Sequence, residues 1–274
     1  MQYMPDSERT KRMTTSELRE HFLVEELFEP GEARFRFPDL DRVVLGGIVP
    51  TDSAIDLDAL PELDTDSFAE RRELGLLNIG GAGAVTVDGE RYTMASLDGL
   101  YVGRGARSIS CESERADEPA RYYLVSYPAH TAYPTRHISR DEADLTELGS
   151  EAQANRRKLY KYIHPAGIES AQLVMGITEV QEGNVWNTMP AHTHQRRTEV
   201  YLYFDIADDN VVFHFMGEPQ ETRSLIVRDA EVILSPGWSI HAGAGTSRYT
   251  FCWAMGGENQ DFGDMQFVEM ETLR

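Results

Sequence analysis

The sequence predicts an all-β protein with a few short helices, folded as two jelly-roll-like β-barrels in tandem. Three observations carry that expectation. From Glu73 onward, short runs of alternating apolar and polar residues follow one another, each bounded by Gly, Pro, Asn or Asp, at strand length rather than helix length. The pattern occurs twice. Arg71-Arg72-Glu73-Leu74 is echoed by Arg196-Arg197-Thr198-Glu199-Val200, Val87-Asp88-Gly89-Glu90 by Phe215-Met216-Gly217-Glu218, and Leu100-Tyr101-Val102-Gly103 by Ile233-Leu234-Ser235-Pro236. Between the copies the chain turns polar, from Ser139-Arg140-Asp141-Glu142 to the basic run Arg156-Arg157-Lys158-Leu159-Tyr160-Lys161. The resulting plan is a barrel over 1–138, a partly helical connector over 139–164 and a second barrel over 165–274.

In chain order, Thr15-Ser16-Glu17-Leu18 opens a helix with Leu18, Phe22 and Leu23 at helical spacing. Residues 33–37 and 42–49 read as extended, and 51–66 as an acidic surface loop. Strands are expected at 74–79, 84–87, 90–94, 100–102, 108–111 and 121–127. The Asp88-Gly89 pair between the second and third of these is a two-residue hairpin signal. After Pro165, strands are expected at 170–179, from Thr198, and at 211–216, 224–228, 231–234, 238–241 and 249–255.

Composition excludes several classes. The chain has 274 residues and a net charge of −20, with only three lysines (Lys11, Lys158, Lys161) among 26 basic residues. Such a surface disfavours nucleic acid and anionic membranes, and any pocket for an anion must carry its own cations. It also suits a salt-loaded cytoplasm, where screening relieves self-repulsion. No apolar run reaches transmembrane length and Met1-to-Phe22 has no signal-peptide core, so a cytoplasmic protein is expected. Cys111 and Cys252 lie far apart in apolar surroundings and read as buried, inert thiols.

The chemistry concentrates in Asn187-Thr188-Met189-Pro190-Ala191-His192-Thr193-His194-Gln195-Arg196-Arg197-Thr198-Glu199-Val200-Tyr201. His192 and His194, two apart, share a face of an extended chain. A bend at 195–197 returns Glu199 to that side. Ser235-Pro236-Gly237 then makes a tight turn, and His241 follows on the expected strand, opposite Trp238 and Ile240. Three imidazoles and a carboxylate suit a divalent cation. His214 alternates with Val212 and Met216 and reads as a core histidine instead. The first half has no His-x-His, so its barrel is expected to lack metal.

His-x-His-x4-Glu, a Pro-Gly turn and a later His resemble the metal signature of the cupins, with Pro236-Gly237 one residue shorter than the usual Pro-x-Gly and without the usual Gly five before the first His. Further motifs resemble one cupin family along nearly the whole chain. They include Phe22-Leu23-Val24-Glu25, Gly46-Gly47-Ile48, Glu70-Arg71-Arg72-Glu73-Leu74-Gly75, Asn78-Ile79-Gly80-Gly81-Ala82-Gly83, Pro128-Ala129-His130-Thr131 and Asn155-Arg156-Arg157. Trp186-Asn187-Thr188-Met189-Pro190, Pro219-Gln220-Glu221-Thr222-Arg223 and Gly257-Glu258-Asn259-Gln260 complete the set. The family is 5-keto-4-deoxyuronate isomerase, the 4-deoxy-L-threo-5-hexosulose-uronate ketol-isomerases of pectin breakdown. The resemblance implies a bicupin, a homohexamer, one Zn2+ per chain held by His192, His194, Glu199 and His241, and a small uronate substrate.

An aldose–ketose interconversion moves a proton between adjacent carbons while charge builds on two oxygens, which a redox-inert cation stabilises. A general base is also required. Candidates are Glu218, Glu221, Tyr201 and Tyr203. The substrate carboxylate calls for a guanidinium or ammonium, with Arg196, Arg197 and Arg223 near the motif and Arg156, Arg157 and Lys161 in the connector, and Arg197, Arg223, Lys161 and Arg156 as the preferred candidates. Competing readings are the 5-deoxyglucuronate isomerase of inositol catabolism, an oxygen-using iron or manganese cupin, and a non-catalytic sugar-acid-binding cupin.

Overall fold

The computed structural model of the protein describes residues 1–258 and 263–274. Asn259 and Gln260 of the Gly257-Glu258-Asn259-Gln260 motif lie outside them. The described residues are almost entirely β, with short α-helices only at Ser7–Thr10 and Thr15–Phe22. The second helix starts one residue later than its cap: the Thr14 side chain accepts from Glu17 N–H, and the Glu17 carboxylate accepts from Thr14 N–H at 2.7 Å. This reciprocal cap satisfies two helix-end donors. Leu18 and Phe22 are its buried face.

Two compact units emerge, and they interleave along the chain. One comprises Met1–Gln2, Glu26–Asp144 and Tyr162–Val174; the other comprises Tyr3–Glu25, Leu145–Lys161 and Met175–Arg274. The sequential plan of 1–138, 139–164 and 165–274 therefore differs from the observed units in three places, one being that residues 165–174 lie in the first unit. The N-terminal helices belong with the second unit because Leu23–Val24 pairs with the Glu231–Ser235 strand, Leu23 opposite Ile233. The connector, expected as polar and partly helical, supplies two strands, Asp144–Leu148 and Arg157–Ile163, with 3-10 turns at Arg140–Glu142 and Glu151–Gln153.

The first unit has a six-stranded sheet in which Arg72–Asn78 lies between Gly99–Val102 and Tyr122–Pro128, with Val44–Ile48 beyond. Its partner sheet holds Ile109–Ser113, Gly83–Val87 and Glu90–Met94. Asp88 and Gly89 both take positive φ, 48° and 87°, as a two-residue hairpin of this type requires. Leu74, Leu76, Val85, Leu100, Val102 and Leu124 fill the space between the sheets and are essentially inaccessible to water. Truncating any one of them to Ala costs about 2–5 kcal/mol. Glu73 is buried in the same unit, accepting from Tyr101 Oη at 2.7 Å and from the N–H groups of Ala171, Gln172 and Leu173 at 2.6–2.8 Å. It is a clamp for the 171–173 segment.

The second unit repeats this topology in its central strands. Arg197–Phe204 lies between Glu231–Ser235 and Thr250–Gly257, with Val174–Val180 beyond, and the smaller sheet carries Ala242–Gly245, Val212–Glu218 and Glu221–Val227. The repeat read from the sequence is thus a repeat of structure. One expected strand is absent: residues 238–241 belong to the turn after Pro236, closed by Ser239 N–H to Pro236 C=O at 2.9 Å, and the strand begins at Ala242. Cys111 and Cys252 are both buried and free. Burial pushes the Cys111 thiol up to about 12.

Candidate metal centre

Each donor reaches the centre by a local device. His192 lies on a two-residue strand, His192–Thr193, held against Gln266–Phe267 with His192 opposite Phe267. A turn at Gln195 and Arg196 follows, and Glu199 sits on the Arg197–Phe204 strand, paired with Ser235 on one side and Met255 on the other. His241 ends the Pro236–Gly237 turn. That turn packs so closely on the His-x-His loop that a Cβ on Gly237 would lie 2.6 Å from the His194 carbonyl oxygen, so only glycine fits. Ser239 fixes the far side of the turn, its hydroxyl accepting from Gly217 N–H at 2.9 Å.

The four donors converge. His192 Nε2 is 3.1 Å from His194 Nε2 and 2.9 Å from His241 Nε2, and Glu199 Oε2 is 3.3 Å from His194 Nε2 and 3.1 Å from His241 Nε2. All four side chains are buried. With bonds of about 2.0–2.1 Å to a central ion, adjacent ligand atoms stand roughly 2.9 Å apart in an octahedron and 3.3–3.4 Å in a tetrahedron. The observed separations span that range. Glu199 Oε2 is buried with no hydrogen-bond donor, and imidazole nitrogens this close cannot each direct a proton inward. The cluster could hold a divalent metal ion, and the donor set fits one.

Protonation agrees. Burial pushes His192 down to about 4 and pushes His241 well below the usual histidine range. Burial alone would raise Glu199, but His241, His194 and His192 outweigh it and hold the carboxyl down at about 2. Neutral imidazoles beside a carboxylate are the states that ligate metal. The outward nitrogens are also engaged. His241 Nδ1 lies 3.3 Å from Ser235 Oγ, and His194 Nδ1 lies 3.4 Å from Asp264 Oδ1, which itself pairs with Arg197 Nη2 at 2.6 Å. Contacts of this kind orient ligating imidazoles.

The cluster opens into a cavity of about 270 Å³. Its wall is the inner face of the seven-stranded sheet, sampled at every second residue: Glu199 and Tyr201, then Phe251, Trp253 and Met255, then Thr178, then Arg157 and Leu159, then Leu148. Thr188, Met189, Pro190, Met265 and Phe267 close the opposite side.

Of the base candidates, only Tyr201 reaches this cavity. Burial and the neighbouring Glu199 raise its phenol well above the usual tyrosine range, so it stays protonated. Tyr203, two residues on, is bonded to His214 Nδ1 at 2.8 Å, and His214 is a fully buried core residue outside the cluster. Glu218 is paired with Lys11 at 2.9 Å and Glu221 with Arg223 at 3.0 Å, both away from the cavity. Of the carboxylate-binding candidates, Arg197 lines the cavity. Arg156 pairs with Glu151, Arg223 donates to the Lys11 carbonyl, and Lys161 is absent from the cavity wall. These six candidates lie off the cavity wall for the same reason: nearness in sequence to the motif does not fix which face of which sheet a residue occupies. Sequence reasoning named Arg157 among the connector cations without placing it on the cavity wall, and it missed Asp264. The first could have been found from the alternation of Arg157, Leu159 and Lys161 had the connector been read as strand; no motif signals the second.

Comparison with known proteins narrows the reading. Residues 51–270 match the model of the KduI/IolB family. The chain belongs to that family. Its KduI/IolB relatives include proteins named 4-deoxy-L-threo-5-hexosulose-uronate ketol-isomerase from Halalkalibacterium halodurans, 53% identical over 99% of both chains, and from Dickeya dadantii, 47% identical over 98% of this chain and 97% of the other. Among solved structures, an IolB-like protein from Salmonella typhimurium LT2 is similar in fold (TM-score 0.72, 14% identity, 90% of this chain and 97% of that one). Oxalate decarboxylase from Lactobacillus farciminis is also similar (TM-score 0.60, 12% identity, 90% and 86%). These place the KduI/IolB chain among bicupin folds, as its duplicated topology requires.

Proposed function

We propose that this protein is a metal-dependent ketol-isomerase that converts 5-keto-4-deoxyuronate (5-dehydro-4-deoxy-D-glucuronate) to 3-deoxy-D-glycero-2,5-hexodiulosonate in uronate catabolism. The observation that carries the reading is a buried three-His, one-Glu cluster at the end of a sugar-sized, largely apolar cavity, in a chain about half identical over its full length to proteins named for that reaction. His192, His194, Glu199 and His241 are the ligands, and zinc is the ion. The barrel of the first unit has no comparable His/Glu cluster among the described residues and serves a structural role.

When bound, the ion supplies Lewis acidity where negative charge develops on the substrate's adjacent carbonyl and hydroxyl oxygens. The chain's own residues do the rest. Tyr201, held protonated beside Glu199 on the cavity wall, would donate a hydrogen bond to the substrate oxygen on which charge develops. Phe251, Trp253, Met255 and Leu159 keep water from the reacting carbons. Trp253 is fixed for this by Nε1–H donation to Thr178 Oγ1 at 3.1 Å.

The family also contains the IolB branch, and 5-deoxyglucuronate is the competing substrate. The names of the half-identical relatives favour the first. A hexameric assembly, a cytoplasmic location and a halophilic host accompany the proposal, the last supported by the net charge of −20. The test is incubation of metal-analysed protein with 5-keto-4-deoxyuronate in D2O, followed by NMR. The ketose and deuterium at the receiving carbon are expected. Absence of turnover, or preferential turnover of 5-deoxyglucuronate, rejects the assignment. Metal analysis and light scattering check the zinc and the hexamer.

A further inference from the structure

We propose that Arg157 is the residue that binds the substrate carboxylate and so sets the enzyme's preference for sugar acids; this rests on the isomerase reading above. The cavity has two cationic wall residues, Arg157 and Arg197. They differ in whether a carboxylate already answers the charge. Arg197 is wholly buried, its Nη2 is 2.6 Å from Asp264 Oδ1, and its Nε faces His194 Nδ1 at 3.3 Å. Its Nη1 and Nη2 make no hydrogen bond, but Asp264 answers its charge and its Nε supports the metal cluster.

Arg157 is half-buried and makes one hydrogen bond, Nη1–H to the Asn155 carbonyl at 2.9 Å. No carboxylate pairs with it among the described residues. The remaining edge of its guanidinium, Nε and Nη2, is the planar fork that grips a carboxylate through two parallel bonds. Burial lowers its pKa, so an anion placed beside it would be paired in a partly dry site. On a protein of net charge −20, an anionic substrate needs such a local cation to enter at all.

Position supports the pairing. In the sheet, the Arg157–Ile163 strand is third from the Arg197–Phe204 strand that carries Glu199, with Thr250–Gly257 and Val174–Val180 between. Three strand spacings amount to roughly 14 Å across the backbone. The cavity of about 270 Å³ lies over that span and has room for a six-carbon chain. The aldehyde end then lies at the His/Glu cluster and the carboxylate at Arg157, on one cavity wall. The stretch between, formed by Leu159, Trp253 and Met255, is apolar and suits the deoxygenated middle of the substrate.

The experiment uses the metal-loaded enzyme with Arg157→Met and Arg157→Lys. Steady-state kinetics on 5-keto-4-deoxyuronate are combined with calorimetric titration of two non-reacting probes, D-glucuronate and uncharged D-glucose. Arg157→Met is expected to raise KM by about 10- to 100-fold with a smaller change in kcat, because a charged hydrogen-bonded contact is lost in ground and transition states alike. It should weaken D-glucuronate by a similar factor and leave D-glucose binding and metal content unchanged. Arg157→Lys should recover part of the loss, keeping the charge without the fork. A KM and a D-glucuronate affinity within two-fold of the parent in Arg157→Met overturn the assignment. Failure of the parent enzyme to turn over the uronate rejects the isomerase reading instead, while the D-glucuronate titrations still decide the role of Arg157.

Discussion

His214 makes a quantitative prediction about how the metal-bearing unit responds to acid. Its ring is fully buried, Nδ1 lies 2.8 Å from the Tyr203 phenol oxygen, and burial pushes its pKa down to about 3. Protonation would place a cation there with no anion beside it, its only partner being the neutral phenol. The unfolded chain, by contrast, takes up the proton near the ordinary value of about 6.5. Below that pH the unfolded state therefore binds more protons than the folded one, and stability falls as pH falls, until about pH 3 where the folded state also binds. A full shift of this size corresponds to about 5 kcal/mol, of which about 2 kcal/mol is lost between pH 7.5 and pH 5. Replacing both partners together, His214→Leu with Tyr203→Phe, removes the titrating group without orphaning the phenol. The assay is urea unfolding of chelator-treated protein at the two pH values, read by tryptophan fluorescence. All three tryptophans, Trp186, Trp238 and Trp253, lie in the second unit, so the signal reports that unit. The double variant should lose about 2 kcal/mol less than the parent on going to pH 5. Losses that agree within about 0.5 kcal/mol would refute the reasoning.

Three other outcomes are expected. His241→Ala should lower metal affinity by more than about 100-fold, beyond the effect of losing an outer contact, and abolish isomerase activity while the circular dichroism of the β fold persists; one ion per chain retained on desalting would contradict the ligand set. Asp264→Asn should weaken metal binding by about 10- to 100-fold in a chelator competition, because His194 Nδ1 loses its carboxylate and Arg197 its counter-ion; an unchanged affinity would show that His194 needs no such support. Raising KCl from 0.1 M to about 2 M should increase the melting temperature, since self-repulsion at a net charge of −20 is screened over about 3 Å near 1 M salt; equal melting temperatures would remove the charge argument.

What the sequence made legible was local. The Asp88-Gly89 hairpin, the alternation through Arg197–Phe204, the His-x-His loop and the return of Glu199 after a turn all depend on neighbours a few residues away, and they stand in the structure as read. His214 was legible as core for the same reason. The errors lie where partners are distant. Residues 238–241 alternate like a strand, but the Pro236–Gly237 turn is held by Gly217 from another hairpin and leaves no sheet partner before Ala242. The connector's Arg157-Lys158-Leu159-Tyr160-Lys161 carries too many long polar side chains to read as strand. It becomes one because Val174–Val180 offers an edge to pair with. Gly176 permits the approach, since a Cβ there would lie 2.3 Å from the Tyr160 carbonyl oxygen and as close to the Trp253 ring. Glu218 and Glu221 followed the motif in sequence and ended on the outside of the smaller sheet. Asp264 reached the metal centre from a segment with no motif.

The pairing of Leu23–Val24 with Glu231–Ser235 has a consequence for how the protein is made. That short strand covers one edge of the sheet on which Glu199 stands. Its partner lies about 210 residues later in the chain. At typical rates of synthesis the ribosome needs on the order of 10–40 s to supply it. Through that interval Leu23–Val24 has no place to dock, while Glu26–Asp144 contains most of the other unit and can begin to fold. The metal-bearing barrel is thus closed by two segments about 210 residues apart. An isolated 165–274 fragment would present an uncovered sheet edge to its neighbours, a template for aggregation rather than a working half.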